Sequence, residues 1–183
     1  MTHRKHRLLS LAAALLFALP AAAMADDYTY LEGGFLDRDN GRRADDSGLR
    51  IAGSGSITRD IALIGEYADT GNFEQFSAGA IFHAPIERGL DWFAGATLEF
   101  ADAGRDDDTG FGLRGGLRWR FARAFELSPE IRHVRLFDSG DTSLRVAGLF
   151  RVAPQLDLQA ALQAGDDDRI EAGLRYTFGP SAR

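Results

Sequence analysis

The chain has 183 residues, a formal net charge of −6, 45% hydrophobic residues and no cysteine. Without cysteine, disulfides, thiol catalysis and a lipid-modified N-terminal cysteine are all excluded. The acidic balance argues against nucleic acid or any other partner that is bound through a general basic surface.

Residues 1–25 have the composition of a signal peptide. Their apolar run, 8–19, is shorter than the roughly 20 residues that a spanning helix needs, which favours export over anchoring. Ala23 and Ala25 predict cleavage before Asp26. Cleavage removes three of the 21 basic residues and none of the 27 acidic ones, which leaves 18 against 27, a net charge of −9. The three basic residues precede the apolar run and are Arg4, Lys5 and Arg7.

After residue 27, apolar residues alternate with polar or small ones, which is the period of a β-strand. In the last segment Ile170 and Leu174 share one face, and Glu171 and Arg175 share the other. This alternation predicts ten strands, with eight as the alternative. The predicted strands are 28–37, 47–58, 61–69, 73–83, 90–101, 110–121, 125–137, 142–153, 156–164 and 169–178.

The connections between the predicted strands alternate between two kinds. Short connections with few acidic residues follow the even-numbered strands, at 59–60, 84–89, 122–124 and 154–155. Acidic connections follow the odd-numbered strands, at 38–46, 70–72, 102–109, 138–141 and 165–168. Turns and loops alternate in this way in an even-stranded barrel whose termini share the periplasmic side. The pattern predicts an all-β, antiparallel up-and-down barrel formed by one domain, 26–183.

Soluble and membrane barrels both alternate, and they differ in which face carries the charge. Three features favour the membrane form. Arg and Glu alternate in mid-strand, where a narrow lumen could pair them. Aromatic residues lie near strand ends, which suits membrane interfaces, and an exported chain without disulfides needs another way to close its sheet edges. We therefore predict a monomer in the outer membrane, with lipid, lipopolysaccharide and the barrel-assembly machinery as partners.

Two short patterns resemble known outer-membrane barrels. Leu174, Tyr176 and Phe178 resemble the C-terminal signal by which such barrels are recognised for assembly, and five further residues follow them. Residues 28–35 and the Gly-Glu-Tyr run at 65–67 resemble small quorum-sensing- and biofilm-linked barrels of plant-associated proteobacteria. The broader resemblance is to OmpA/OmpX-like barrels, and it implies a small transmembrane barrel.

The charged residues of the polar strand faces are predicted to point into the barrel. Charges without free access to bulk water have to be paired, so the first interpretation is a cross-lumen network that fills and stiffens the barrel. A narrow pore that favours anions is the alternative, because Arg is in excess. The predicted lumen residues are Glu32, Arg50, Glu66, Glu99, Arg114, Arg118, Glu130, Arg132, Arg145, Arg151, Glu171 and Arg175.

The acidic loops could associate with divalent ions through oxygen ligands. A solvated surface is the simpler interpretation, and no specific metal site is predicted. Asp37 begins a calcium-loop pattern, but Gly48 stands where that loop needs glutamate. The candidate acidic residues are Asp106, Asp107, Asp108, Asp166, Asp167 and Asp168. Alternatively, rim arginines could contact lipopolysaccharide phosphates directly, namely Arg38, Arg42, Arg43, Arg105 and Arg169.

No catalytic constellation is visible. The run from Gly110 to Gly115 matches G-x-G-x-x-G, but it lies in an alternating strand that no helix follows, so it indicates a barrel bend. His83 and His133 lie on different strands, and neither has a serine and an acid on its own strand face. We predict no enzyme and no cofactor, and an aspartyl protease at the acidic rim stays open as an alternative.

The predicted function is a structural or surface-interaction role. A small pore and a soluble periplasmic ligand-binding barrel are the two alternatives, and the sequence names neither a ligand nor a permeant solute.

Overall fold

The computed structural model describes residues 27–39, 46–71, 73–104 and 106–178. They contain no helix, and hence none long and apolar enough to cross a membrane. The predicted signal peptide lies outside the described residues. The ten strands are β1 (Tyr30–Asp39), β2 (Asp46–Ser56), β3 (Ile61–Asp69), β4 (Glu74–Glu87), β5 (Leu90–Asp102), β6 (Asp107–Ala122), β7 (Phe125–Leu136), β8 (Ser139–Ala153), β9 (Leu156–Gly165) and β10 (Asp168–Thr177).

The strands close into an antiparallel up-and-down barrel. Each pairs with its neighbours in sequence, and β1 pairs with β10 over its full length, from Tyr30 opposite Thr177 to Asp39 opposite Asp168. The ten-stranded prediction is confirmed. The eight-stranded alternative is wrong, because the short strands β3 and β9 each form a continuous ladder on both sides. Closure leaves no sheet edge to be covered.

The strand ends differ from the predicted ones in two informative places. The first strand was predicted from residue 28, but β1 begins at Tyr30, because Tyr28 and Thr29 turn into the interior and are buried. The strands β6 and β8 begin three residues earlier than predicted, at Asp107 and Ser139. Polar residues there continue the antiparallel ladder, since backbone pairing does not require apolar side chains. The loops are correspondingly shorter.

The alternation along the strands gives the barrel an apolar outside and a polar inside. Among the described residues, 26 large apolar side chains are exposed, and Phe35 and Leu162 are 73% and 62% exposed. By contrast, Glu99 and Asp157 are each only 1% exposed. A water-soluble domain has the opposite distribution, and an apolar surface this extensive marks contact with a membrane or a partner.

Aromatic residues lie on the outer face near both ends of the barrel. We call the end with the termini and the connections after even-numbered strands the turn side, and the other end the loop side. Near the loop side, Tyr67, Phe76 and Phe100 pack together. Near the turn side, adjacent rings lie 4.9–5.9 Å apart in the pairs Phe82–Trp92, Trp119–Phe121, Phe121–Phe125, Phe125–Phe150 and Tyr176–Phe178. Two such bands are typical of the interfaces of a bilayer.

Candidate functional site: the charged lumen

The centre of the lumen is a chain of paired charges contributed by β1, β2, β3 and β7. Arg50 donates from Nη1 to Glu32 and from Nη2 to Glu66, both at 2.8 Å. Glu66 also accepts from Arg132 Nη1 at 3.2 Å, and Arg132 Nε donates to Glu130 at 2.7 Å. Each carboxylate here meets at least one guanidinium, so burial leaves no carboxylate without an opposite charge.

The chain of charges continues toward the turn side through Glu126 on β7. Glu126 accepts from Arg118 in a bidentate pair, at 3.0 Å from Nε and 3.2 Å from Nη2. It also accepts from Arg175 Nη1 at 3.2 Å. Arg175 Nε donates to Glu32 at 2.6 Å, which joins this part to the centre. Glu126 was not among the predicted lumen residues, although it shares the strand face of Glu130.

A third branch comes from β8 and β10. Arg145 Nη2 donates to Glu171 at 2.6 Å, and Glu171 Oε2 lies 3.8 Å from Arg50 Nε. Arg114 is the most loosely held member, since its Nε is 3.6 Å from Glu130 and no hydrogen bond joins its side chain to another described residue. We call the connected set the lumen network. It contains Arg50, Arg114, Arg118, Arg132, Arg145, Arg175, Glu32, Glu66, Glu126, Glu130 and Glu171.

Separate ion pairs lie nearer the two mouths. Arg151 donates to Asp157 at 3.1 Å across β8 and β9. At the loop side, Asp167 pairs with Arg38 at 2.7 Å and with Arg169 at 2.5 Å. Burial alone would raise the pKa of the Asp167 carboxyl, but Arg169 and Arg38 outweigh it, and the pKa lies below its usual range. These contacts hold the loop between β9 and β10 against the barrel wall.

Glu99 on β5 faces the lumen without belonging to the network. Its carboxylate accepts from the Thr97 hydroxyl and from Gln75 Nε2 at 3.0 Å. Gly112 on β6 provides the space, because a Cβ there would lie 2.5 Å from Glu99 Oε1 and from Thr97 Oγ1. The glycine of the G-x-G-x-x-G pattern thus admits a buried carboxylate, and no phosphate loop is formed.

The turn-side part of the lumen is closed by an apolar cluster around Tyr28. Its ring stacks on His83 at 3.5 Å between centroids, and the Arg118 guanidinium lies 4.3 Å from the ring centre. Burial raises the pKa of the Tyr28 hydroxyl to about 12, so the side chain is uncharged at neutral pH. The remaining cluster members are Ala62, Ile64, Ile81 and Phe93.

Two small cavities lie inside the described part of the barrel. One, of about 60 Å³, lies between the Tyr28 cluster and the network, and the other, of about 50 Å³, lies toward the loop side. Each has room for a few water molecules, since one water needs roughly 10–15 Å³. Glu66, Arg114 and Arg132 line both cavities and therefore separate them. A solute crossing the barrel would have to displace these side chains.

The twelve predicted lumen residues all face the interior, but two of them, Glu99 and Arg151, stand outside the network. Four acidic residues that face the interior were not predicted there: Glu126, Asp157, Asp167, and Asp91, which pairs with Arg120 at 2.8 Å. Strand parity could have found them, because Glu126 is four residues before Glu130 on the same face. The predicted lumen set consists of mid-strand charges, whereas these residues lie near strand ends.

The predicted acidic rim is not gathered into a site. Asp108 accepts from the Phe137 N–H, Asp166 from the Thr142 N–H at 2.8 Å and Asp168 from the Gly165 N–H at 2.8 Å, so these carboxylates hold turns. The Asp106 carbonyl accepts from the Ala103 N–H at 2.9 Å, and Asp107 begins β6. In the described ranges, no three His, Asp or Glu residues form a metal-binding group.

The proposed contact of rim arginines with phosphate is wrong for Arg38 and Arg169. Both point inward, because Asp167 offers them a partly buried carboxylate. Arg42, Arg43 and Arg105 lie outside the described residues.

The residues of the predicted assembly signal lie on the outer face at the turn side. Leu174 and Tyr176 face outward from β10, and the Phe178 ring contacts Tyr176 at 4.9 Å.

Comparison with known proteins supports the fold. No protein-family model matches the chain, and a comparison with curated proteins found no match. Among solved structures, the chain is similar to the KdgM porin, with a TM-score of 0.53 and 12% identity over 81% of this chain and 99% of that one. It is also similar to the NanC porin, with a TM-score of 0.51 and 5% identity over 80% and 98%. The chain therefore has the closed antiparallel barrel fold of these outer-membrane porins.

Proposed function

We propose that this protein is a small structural barrel of the bacterial outer membrane, with a lumen closed to solutes and loops that face the cell exterior. Its apolar outer face between two aromatic bands supports insertion in a bilayer, where every backbone group must be paired within the protein. The alternation of short turns and acidic loops supports an orientation with the turn side in the periplasm.

The observation that carries the closed lumen is the network that separates the two cavities. Eleven charged side chains join across the interior, and the Tyr28 cluster lies between them and the turn side. Buried ion pairs of this kind resist separation, because an unpaired charge in a poorly hydrated interior is costly. A barrel of about this size has an interior that side chains can fill.

The two alternative functions fit the geometry less well. A soluble ligand-binding barrel needs an apolar cavity and a polar outside, whereas this barrel has the reverse. Two observations favour a pore. The similar solved structures are named porins, and Arg114 has the weakest contacts in the lumen network. The pore is therefore the second candidate. The same proposal includes four further points. The protein belongs to the OmpA/OmpX-like or quorum-sensing-linked groups, and its signal peptide is cleaved before Asp26. It is recognised by the barrel-assembly machinery and is a monomer.

Conductance across a planar lipid bilayer tests the closed lumen. We expect no discrete channel steps from the wild-type protein. We expect the Arg114→Ala variant to leak more current than the wild type, because one of the charged side chains that line both cavities is then removed while Glu130 keeps its hydrogen bond from Arg132.

Arg88→Ala is the matched control, since Arg88 is exposed in the turn between β4 and β5 and does not line the lumen. It should be as silent as the wild type. Discrete openings of the wild type that disappear in Arg114→Ala would show an anion pore and contradict the structural role.

A further inference from the structure

The charged residues on the outer face are not distributed evenly around the loop side. Among the strand residues that the structure describes, only two basic residues face outward, Arg135 and His133 on β7. The outward charged residues that end other strands on this side are all acidic, namely Asp37, Asp69, Glu74, Asp102, Asp107 and Asp168. Among the described strand residues, the face of β7 is therefore the one place on this side where outward positive charge lies next to the apolar surface.

The two basic residues lie beside Gly140 of β8, whose missing side chain leaves a shallow recess that the His133 ring partly fills. Arg135 pairs with Gly140 on β8, which leaves its β8 side open, and its own side chain is exposed. His133 Nδ1 lies 2.8 Å from Thr142 Oγ1, which orients the ring. The ring covers Gly140, where a Cβ would lie 3.1 Å from Cε1 and 3.4 Å from Nε2. Arg135 and His133 are alternate residues, so their backbones are about 7 Å apart and both can reach one anionic group.

The height of this recess matches a membrane interface. Ten residues separate Arg135 from Phe125 of the turn-side aromatic band, which corresponds to about 25 Å along the axis of a barrel with tilted strands. That distance equals the usual height of the apolar band of an outer-membrane barrel, about 25 Å. Below the recess the surface is apolar, with exposed Leu113, Ile131 and Leu144. A ligand held here would place an anion at the interface and hydrocarbon beneath it.

We propose that Arg135 and His133, over the Gly140 floor, bind a phosphate of a phosphorylated glycolipid in the outer leaflet, with its acyl chains against Leu113, Ile131 and Leu144. This rests on the proposed outer-membrane function. An arginine guanidinium suits phosphate through paired hydrogen bonds, and imidazole Nε2 supplies a further donor when Nδ1 accepts from Thr142. The acidic strand ends that the structure describes on this side repel phosphate, so among them charge complementarity favours β7.

The site is tested on protein purified in detergent from membranes of cells that express the full chain. Purified lipopolysaccharide, its dephosphorylated form and phosphatidylglycerol are each titrated, and the rise in thermal midpoint is followed by circular dichroism. We expect lipopolysaccharide to raise the midpoint at the lowest concentration. Arg135→Gln should weaken its apparent affinity about tenfold, the value of one strong charge-assisted hydrogen bond. His133→Ala should weaken it less, because it removes one hydrogen-bond donor and leaves the guanidinium of Arg135 in place.

Two further variants separate binding from folding. Gly140→Val displaces the His133 ring without removing a charge and should reduce affinity at least as much as His133→Ala does. Arg88→Gln makes the same charge change at the turn side and should leave affinity unchanged.

Equal affinity of the wild type and Arg135→Gln, or equal affinity for lipopolysaccharide and its dephosphorylated form, would overturn the site. Phosphatidylglycerol binding as tightly as lipopolysaccharide would overturn the glycolipid assignment.

Fractionation of the same cells tests the underlying function independently. If the wild-type protein is found in membranes but Arg135→Gln does not change the affinity for lipopolysaccharide, only the proposed glycolipid site is wrong. Wild-type protein that stays soluble without detergent would overturn the outer-membrane proposal, and the site with it.

Discussion

Replacing Glu126 by alanine is expected to destabilise the folded barrel by about 3–5 kcal/mol, the usual cost of removing one partner from a buried ion pair. Glu126 holds Arg118 in a bidentate pair and also accepts from Arg175. Arg175 retains Glu32 after the change, whereas Arg118 keeps only the Asp27 carbonyl and the neighbouring tyrosine rings. Unfolding by urea in detergent micelles, followed by tryptophan fluorescence, measures the difference.

The control for this substitution is Glu87→Ala, at an exposed glutamate at the turn-side end of β4. An exposed site of this kind changes stability by about 0.5 kcal/mol or less. Glu126→Gln removes the charge but keeps the side-chain volume. Its loss in free energy of unfolding should fall between those of Glu126→Ala and Glu87→Ala, because an amide oxygen still accepts a hydrogen bond. A Glu126→Ala barrel as stable as Glu87→Ala would mean that water screens the lumen charges, and the closed lumen would have to be abandoned.

Replacing Leu98 by arginine is expected to cost about 2–4 kcal/mol in a lipid bilayer, the value for Arg near the midplane of a barrel's lipid face. Leu98 is 59% exposed on the outer face of β5. It lies about 15 Å above Trp92 of the turn-side aromatic band. In a soluble barrel the same exposed position would tolerate arginine within about 0.5 kcal/mol. Reversible guanidinium unfolding of protein refolded in phospholipid vesicles distinguishes the two cases.

Thr109→Arg is the matched control, because Thr109 faces outward at the loop-side end of the neighbouring strand β6. The same new charge at an interface should cost only about 0–1 kcal/mol. Equal costs at Leu98 and Thr109 would contradict the membrane orientation of the barrel, whatever their absolute size.

The fold was predictable because the barrel is built from local patterns. Strand β10 shows this, since Ile170, Leu174 and Tyr176 alternate with Glu171 and Arg175, and the structure turns the first set outward and the second inward. The period of two determines which residues share each face of a strand. The alternation of short and acidic connections indicates that the number of strands is even. Strand ends were less predictable, because Asp107 and Ser139 continue a ladder that depends on the opposite strand.

The partners within the lumen were not predictable in the same way. The alternation along β10 predicts that Arg175 faces inward. Its partners Glu32 and Glu126, however, come from β1 and β7, 143 and 49 residues away in the chain. Which charges meet depends on register and on strand tilt, and neither can be read from one strand. The same reason explains Arg38, which sequence position alone would assign to the outer rim and which Asp167 draws inward.

The amino-acid sequence by itself determined the antiparallel barrel class, the order of turns and loops and the identity of the two faces, because each depends on residues adjacent in the chain. The tertiary structure alone decided which charges pair in the lumen, that Tyr28 enters it, and that Arg135 and His133 stand together on a side where the other described outward charges of the strand ends are acidic. These features arise only when closure brings ten strands into one register, so that side chains far apart in sequence share a single interior or a single edge.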